Sequence, residues 1–186
     1  MHGLDVTLFR AFNGLPEWLS PIFLFFSEGN KWWVVRIGLL ALFVLFLWKR
    51  KYRTPALLAM VSWPIANSVC DALKAGLQWQ RPSVELADAV IRVHKLTSFG
   101  TASAHSATMM SVAVAFMFYD RALGFVWLAV ALLTGLSRIY VGVHYPSQVV
   151  LGWLVGAFIA FVVVKTWQAY RCWSDRRRDG SPPPAQ

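Results

Sequence analysis

Apolar residues in this chain come in continuous runs, and each run is closed by charge, proline or glycine. The runs cover residues 15–27, 32–48, 55–77, 105–119, 123–141 and 148–164. A transmembrane helix needs about 20 apolar residues to cross roughly 30 Å of hydrocarbon, so the pattern predicts about six spans, several of them short. The first run carries Pro16 and Pro21. Before it, Leu4, Leu8, Phe9 and Phe12 recur at helical spacing, as in an amphipathic helix lying in an interface. The second run has Trp32 and Trp48 at its ends, the usual interface anchors. Ten-residue alternation, which a membrane barrel requires, is absent from the sequence. The predicted architecture is therefore all-α, a polytopic helical bundle in lipid.

Composition agrees. Of 186 residues, 57% are hydrophobic and only 15% charged, which excludes an ordinary soluble domain. The net charge of +9 and a pI near 10.1 would suit a nucleic-acid binder, but here the cations flank apolar runs instead of covering a polar face. No nucleic-acid partner is expected; the bilayer is. Cys70 and Cys172 form no spaced framework. Nothing before the first run has the basic, apolar and small-residue order of a cleavable signal. Residues 1–170 read as one membrane-embedded domain and 171–186 as a basic, Pro-rich tail. No pattern specifies an oligomeric state.

The cations also predict a topology. Lys49, Arg50, Lys51 and Arg53 crowd one short connection, and Lys165, Arg171 and Arg176, Arg177 and Arg178 follow the sixth run. Positive charge marks the cytoplasmic side. With six spans, both clusters and both termini fall there, and the 78–104 segment and the 142–147 turn face outward together.

Three cations do not fit the flanking pattern. Lys74, Arg81 and Arg138 lie at span ends on the side that should be poor in positive charge, where ionisable groups usually mark a pathway or a site. Lys74 and Arg81 would share one helix face if the helix continued through Gln80, with Pro82 then ending or redirecting it. Near them, the small residues from Ser98 to Ala104 precede a helix start at His105, which suits either an anion site built from open N–H groups or a plain cap by Ser103 or Thr101. Pro146 suits a first helical turn, which places His144 just outside a helix and Gln148 within it.

Fixed cations and helix-terminal amides neutralise a phosphate and its transition state. One neutral imidazole can attack phosphorus, and a second, protonated one can donate to the leaving oxygen. Such a site needs neither metal nor cofactor, and a zinc site built from His94, His105 and His144 would lack a carboxylate or a close histidine pair.

These residues resemble the type 2 phosphatidic acid phosphatase family of membrane lipid phosphatases. The family has a Lys, six residues and Arg-Pro; a Pro-Ser-Gly-His box; and Ser-Arg, five residues, His, three residues, Asp. This chain has Lys74 to Arg81-Pro82, then Ala102-Ser103-Ala104-His105, then Ser137-Arg138 to His144 with Gln148 in the Asp position. The resemblance implies that His144 is the nucleophile and forms a phosphohistidine, while His105 protonates the leaving group. Lys74, Arg81, Ser103 and Arg138 would hold the phosphate oxygens, helped by the backbone N–H groups of Ala104 and His105. Soluble vanadium haloperoxidases carry the same boxes, but the hydropathy argues against them. The short bacterial-type members point to the inner (cytoplasmic) membrane and an external site. Undecaprenyl diphosphate is then the first candidate substrate, ahead of phosphatidylglycerophosphate, phosphatidic acid or lipid A. Two other functions fit: a phosphotransferase, or a lipid-phosphate binding or transport protein weakened by Gln148, which lacks the negative charge of Asp.

Overall fold

The computed structural model describes residues 2–94, 96 and 98–178. Among them every regular element is helical. In order these are α1 (His2–Asn13), a 3-10 turn (Glu17–Leu19), α2 (Ser20–Glu28), a second 3-10 turn (Gly29–Lys31), α3 (Trp33–Trp48), α4 (Arg50–Leu77), the single turn α5 (Pro82–Glu85), α6 (Ala104–Met117), α7 (Arg121–Tyr140) and α8 (Pro146–Arg178).

Helix α6 is the centre of the bundle and packs against α4, α7 and α8. Its 14 residues span only about 21 Å, short for a lipid-facing span but sufficient for a helix enclosed by neighbours. Small residues let those neighbours approach. Ala107 and Ala115 of α6, Ala131 of α7 and Ala160 of α8 are completely buried. At Gly156 a methyl group would lie 2.0 Å from the Ala107 carbonyl oxygen, so α8 touches α6 backbone to backbone. By contrast α3 buries none of its residues, as suits a helix facing lipid, and Trp33 and Trp48 are exposed at its two ends.

By length and composition α4, α7 and α8 can each cross a membrane. Helix α3 does so when counted with the segment before it, across a 71° bend. The first apolar run forms the short arm of that bent pair. Both ends of α2 touch the last turn of α7: Ser20 bonds the Tyr140 hydroxyl, and Glu28 accepts from Arg138. Nine residues starting on proline extend only about 14 Å and stay at one end of the bundle. Among the described residues three helices are thus long and apolar enough to cross, four with the bent pair, and α6 is a shorter apolar helix among them; about six spans were expected.

Side-chain contacts fix where α1 lies. Asp5 of α1 accepts from the Ser147 amide (2.9 Å) and hydroxyl at the start of α8, and Asn13 bonds the Tyr140 carbonyl at the end of α7. Helix α1 thus sits at the end of the bundle where α8 begins, opposite the end where α8 reaches Arg178. The two cation clusters do share one end. Lys51 pairs with Asp120 in the α6–α7 connection, and Lys165 lies over Phe118 beside it.

Helix α8 is 33 residues long, about 50 Å, and so outruns the hydrocarbon by roughly 20 Å. The basic stretch after Tyr170 begins as this helical extension and continues unbroken to Arg178; its Pro-rich end lies outside the described residues.

Candidate active site

The three sequence boxes meet at the α1 end of the bundle. Helix α4 stops at Leu77 because Gln78 adopts a left-handed conformation (φ 52°), and the chain then runs extended to Arg81, which precedes α5. Lys74 and Arg81 therefore do not share a helix face. Arg81 instead turns back beneath the loop before α6. Its Nε donates to the Ser98 carbonyl at 2.6 Å, Nη2 to Ser98 Oγ (3.2 Å) and the Phe99 carbonyl (3.1 Å), and Nη1 to the Val143 carbonyl (2.9 Å). Nη1 also lies 2.9 Å from Nε2 of His144.

Pro146 opens α8, so His144 sits just outside the helix and Gln148 in its first turn. His144 Nδ1 and Gln148 Oε1 are 3.0 Å apart. The amide end of Gln148 is fixed, because Nε2 donates to the Gln80 carbonyl at 2.7 Å. Oε1 is then the acceptor, and it also takes the Tyr145 amide. An acceptor opposite Nδ1 places the imidazole proton there and leaves the Nε2 lone pair facing Arg81 Nη1. Through its backbone carbonyl Gln148 further accepts from the Ser103 amide at 3.0 Å. One residue thus joins all three boxes. Gly100 allows the closeness: a methyl there would stand 2.7 Å from Gln148 Oε1 and 2.9 Å from Arg81 Cγ.

Ser103 is the N-cap of α6, its Oγ accepting from the Ser106 amide and hydroxyl. Ala104 and His105 are the first two helical residues, whose N–H groups no intrahelical carbonyl can reach. The cap and the anion site considered for this stretch are compatible, since the cap serves Ser106 and leaves the first two amides free. Lys74 pairs with Asp71 at 2.8 Å and remains within electrostatic reach of both His105 and His144.

Arg138 is almost completely buried in the last turn of α7. Its partners come from a segment not assigned to the site on sequence. Nη1 donates to Ser27 Oγ at 2.5 Å, to Glu28 Oε1 at 3.0 Å and to the Ser27 carbonyl at 3.3 Å. Glu28 also pairs with Lys31. The available signal was a carboxylate ending the first apolar run, but a run read as a span would have put Glu28 in solvent.

Burial, and then the charges of Arg81 and Arg138, hold His144 well below the ordinary histidine range, so the resting imidazole is neutral. Burial, with repulsion from Arg138 second, brings Arg81 down to about 10, which leaves it charged at neutral pH. A neutral imidazole with its free nitrogen turned toward fixed cations is arranged for attack on an anionic phosphorus centre. Among the described residues no group of three or more His, Cys, Asp or Glu side chains is placed to hold a metal ion.

A model of the PAP2 superfamily matches residues 53–172. An undecaprenyl-diphosphatase of Sulfolobus acidocaldarius is 27% identical over 165 residues, covering 88% of this chain and 78% of that protein. Two solved structures share the fold. Aquifex aeolicus LpxE superposes with a TM-score of 0.70 at 21% identity, over 87% of this chain and 95% of the other. A transmembrane PAP2-type phosphatidylglycerolphosphate phosphatase of Bacillus subtilis gives 0.67 at 21% identity, over 90% and 86%.

Proposed function

The chain belongs to the PAP2 superfamily of lipid phosphatases, and on that premise we propose that it hydrolyses a membrane lipid phosphate through a phosphohistidine on His144, without a metal or cofactor, and that undecaprenyl diphosphate is its substrate. The observation that carries this reading is the His144 tautomer. Gln148 holds Nδ1–H and leaves Nε2 as a lone-pair nucleophile in a cation-lined pocket.

Arg81 Nη1 moves from Nε2 to a phosphoryl oxygen as substrate enters. Lys74, Arg81, Arg138, Ser103 and the Ala104 and His105 amides hold the other oxygens. The Nε2 electron pair forms the N–P bond, the P–O bond to the lipid-side oxygen breaks, and His105 gives that oxygen its proton. Water, losing a proton to His105, then attacks the phosphohistidine and releases inorganic phosphate, which restores Nε2. In-line geometry and charge neutralisation provide most of the acceleration in such transfers.

The substrate choice is supported by the name of the Sulfolobus relative and by the cation asymmetry. With the α3–α4 junction and the end of α8 in the cytoplasm of a bacterial inner membrane, the site opens outward. There a carrier diphosphate, phosphatidylglycerophosphate, phosphatidic acid or lipid A would present its headgroup. Helices α1 and α2 then lie on that outer side too.

The test uses full-length protein purified in detergent, with each of these lipids, in EDTA. Phosphate release that survives EDTA and vanishes in His144→Ala, together with an acid-labile label on wild-type protein, is the expected result. Metal-dependent turnover, or turnover that survives the substitution, would sink it. A phosphorylated alcohol in place of free phosphate would indicate a transferase. The neutral Gln148 favours one other reading, a lipid-phosphate binder with little chemistry, which would appear as equal binding in wild type and His144→Ala and no turnover in either.

A further inference from the structure

We propose that Ser27 and Glu28 of α2 are positioning residues for phosphate binding, acting by orienting the Arg138 guanidinium. The proposal rests on the phosphate-site reading above. Arg138 is 3% exposed, and its hydrogen bonds all leave from one nitrogen, Nη1, which two residues of α2 meet with three acceptor oxygens. Its Nε is buried and has no hydrogen-bond partner. A buried N–H without an acceptor is costly, so the protein maintains this unfavourable feature within the electrostatic reach of His144.

The chemistry explains why. A guanidinium offers two parallel N–H bonds, from Nε and Nη2, that match two oxygens of a phosphate. Fixing Nη1 from the far side orients that edge and prevents rotation about the last side-chain bonds. Ser27 is 1% exposed and accepts from Arg138 at 2.5 Å, so the anchor is rigid. Glu28 is kept charged without exposing a bare anion to the incoming phosphate, because Lys31 pairs with it. Helix α2 therefore belongs to the binding machinery although it lies outside the three boxes and outside residues 53–172.

The experiment measures binding of inorganic phosphate to full-length detergent-purified protein by calorimetry, alongside KM and kcat on a lipid phosphate. Glu28→Ala should weaken phosphate binding about tenfold, equal to ~1.4 kcal/mol, and raise KM. Glu28→Gln keeps an acceptor oxygen and should recover most of the loss, to within about threefold of wild type. In an Arg138→Ala background, Glu28→Ala should cost nothing further, since coupled residues are not additive. Equal losses in both backgrounds would overturn the proposal, and so would tighter phosphate binding by Glu28→Ala, which would make the carboxylate a competitor of phosphate. If Glu28→Ala does not fold, Ser27→Ala carries the same cycle with the same two overturning outcomes. A wild type that binds phosphate yet hydrolyses no lipid phosphate would refute the function proposed above while leaving this cycle readable.

Discussion

The side-chain oxygen of Gln148 lies 3.0 Å from Nδ1 of His144, and the opposite end of the same amide is held by the Gln80 carbonyl. The orientation of the amide, and with it the imidazole tautomer, is thus set by backbone in the segment that follows α4. A carboxylate could accept the same bond but could not donate to Gln80.

The charge at position 148 should appear in the pH profile. His144 must be unprotonated to attack, and its pKa lies below the ordinary value of about 6.5. Wild-type kcat/KM, which reports the free enzyme, should therefore fall only as pH drops through that lowered pKa. Gln148→Asp adds a negative charge that favours the imidazolium, so its acid limb should move to higher pH while turnover rises. Gln148→Leu, with no acceptor, should lose about 10²-fold. Profiles measured on one substrate for all three proteins decide it, and an acid limb unmoved by Asp would contradict the prediction.

Gly100→Ala should be costly, because Gly100 is buried in the loop before α6. The new methyl would meet both ends of the Gln148 amide, at 2.7 and 2.9 Å, and the Arg81 side chain, none of which is free to retreat. Displacing catalytic groups by about 1 Å costs roughly 10²-fold, so kcat/KM should drop by that order, with ~1–3 kcal/mol lost from stability by overpacking. Steady-state kinetics with a thermal melt in detergent would check both.

Arg81→Lys tests whether geometry or charge matters. Lysine keeps the charge but not the planar fork that serves Ser98, Phe99, Val143 and His144 at once. Activity should fall about 10²–10³-fold, the scale of losing an oriented transition-state donor. Near-normal rates in the lysine variant would mean that charge alone is sufficient.

Asn13→Ala should loosen the roof of the site. The Asn13 side chain is 3% exposed and donates to the Val90 and Tyr140 carbonyls at 2.8 and 2.9 Å, while accepting from the Val90 amide at 2.8 Å. Removing it deletes three hydrogen bonds at about 0.5–1.5 kcal/mol each, while the Tyr140 carbonyl keeps its bond from Arg92. Lower thermal stability and faster proteolysis within residues 86–100 are expected, and an unchanged melting temperature would be inconsistent with this role.

Local rules made part of this molecule readable. Pro146 marks the start of α8, which puts His144 outside and Gln148 one turn in; Ser103 caps α6 as its residue type suggests. The cation clusters placed two connections on one side correctly. What escaped was tertiary. Gln78 reverses the chain in a conformation unusual for its residue type, so the shared helix face expected of Lys74 and Arg81 does not exist. The first run has the composition of a span, but its hydrophobic side chains Phe23 and Leu24 are packed around Tyr140 at the site end. Neither the seven-residue spacing nor the apolar count contains that information, and Glu28 was overlooked for the same reason.

The bond from the Ser103 amide to the Gln148 carbonyl has a consequence for biosynthesis. Helix α8 follows α1 to α7 in the chain and carries the residue that ties the α4 loop, the α6 cap and His144 together. A ribosome-bound chain that has inserted only α1 to α7 holds Lys74, Arg81 and Arg138, the three proposed phosphate cations, but not the proposed nucleophile His144 held by Gln148. On the proposed mechanism, competence therefore arrives when α8 docks against Ala107, and a deletion of the first turn of α8 would leave an inserted but silent protein.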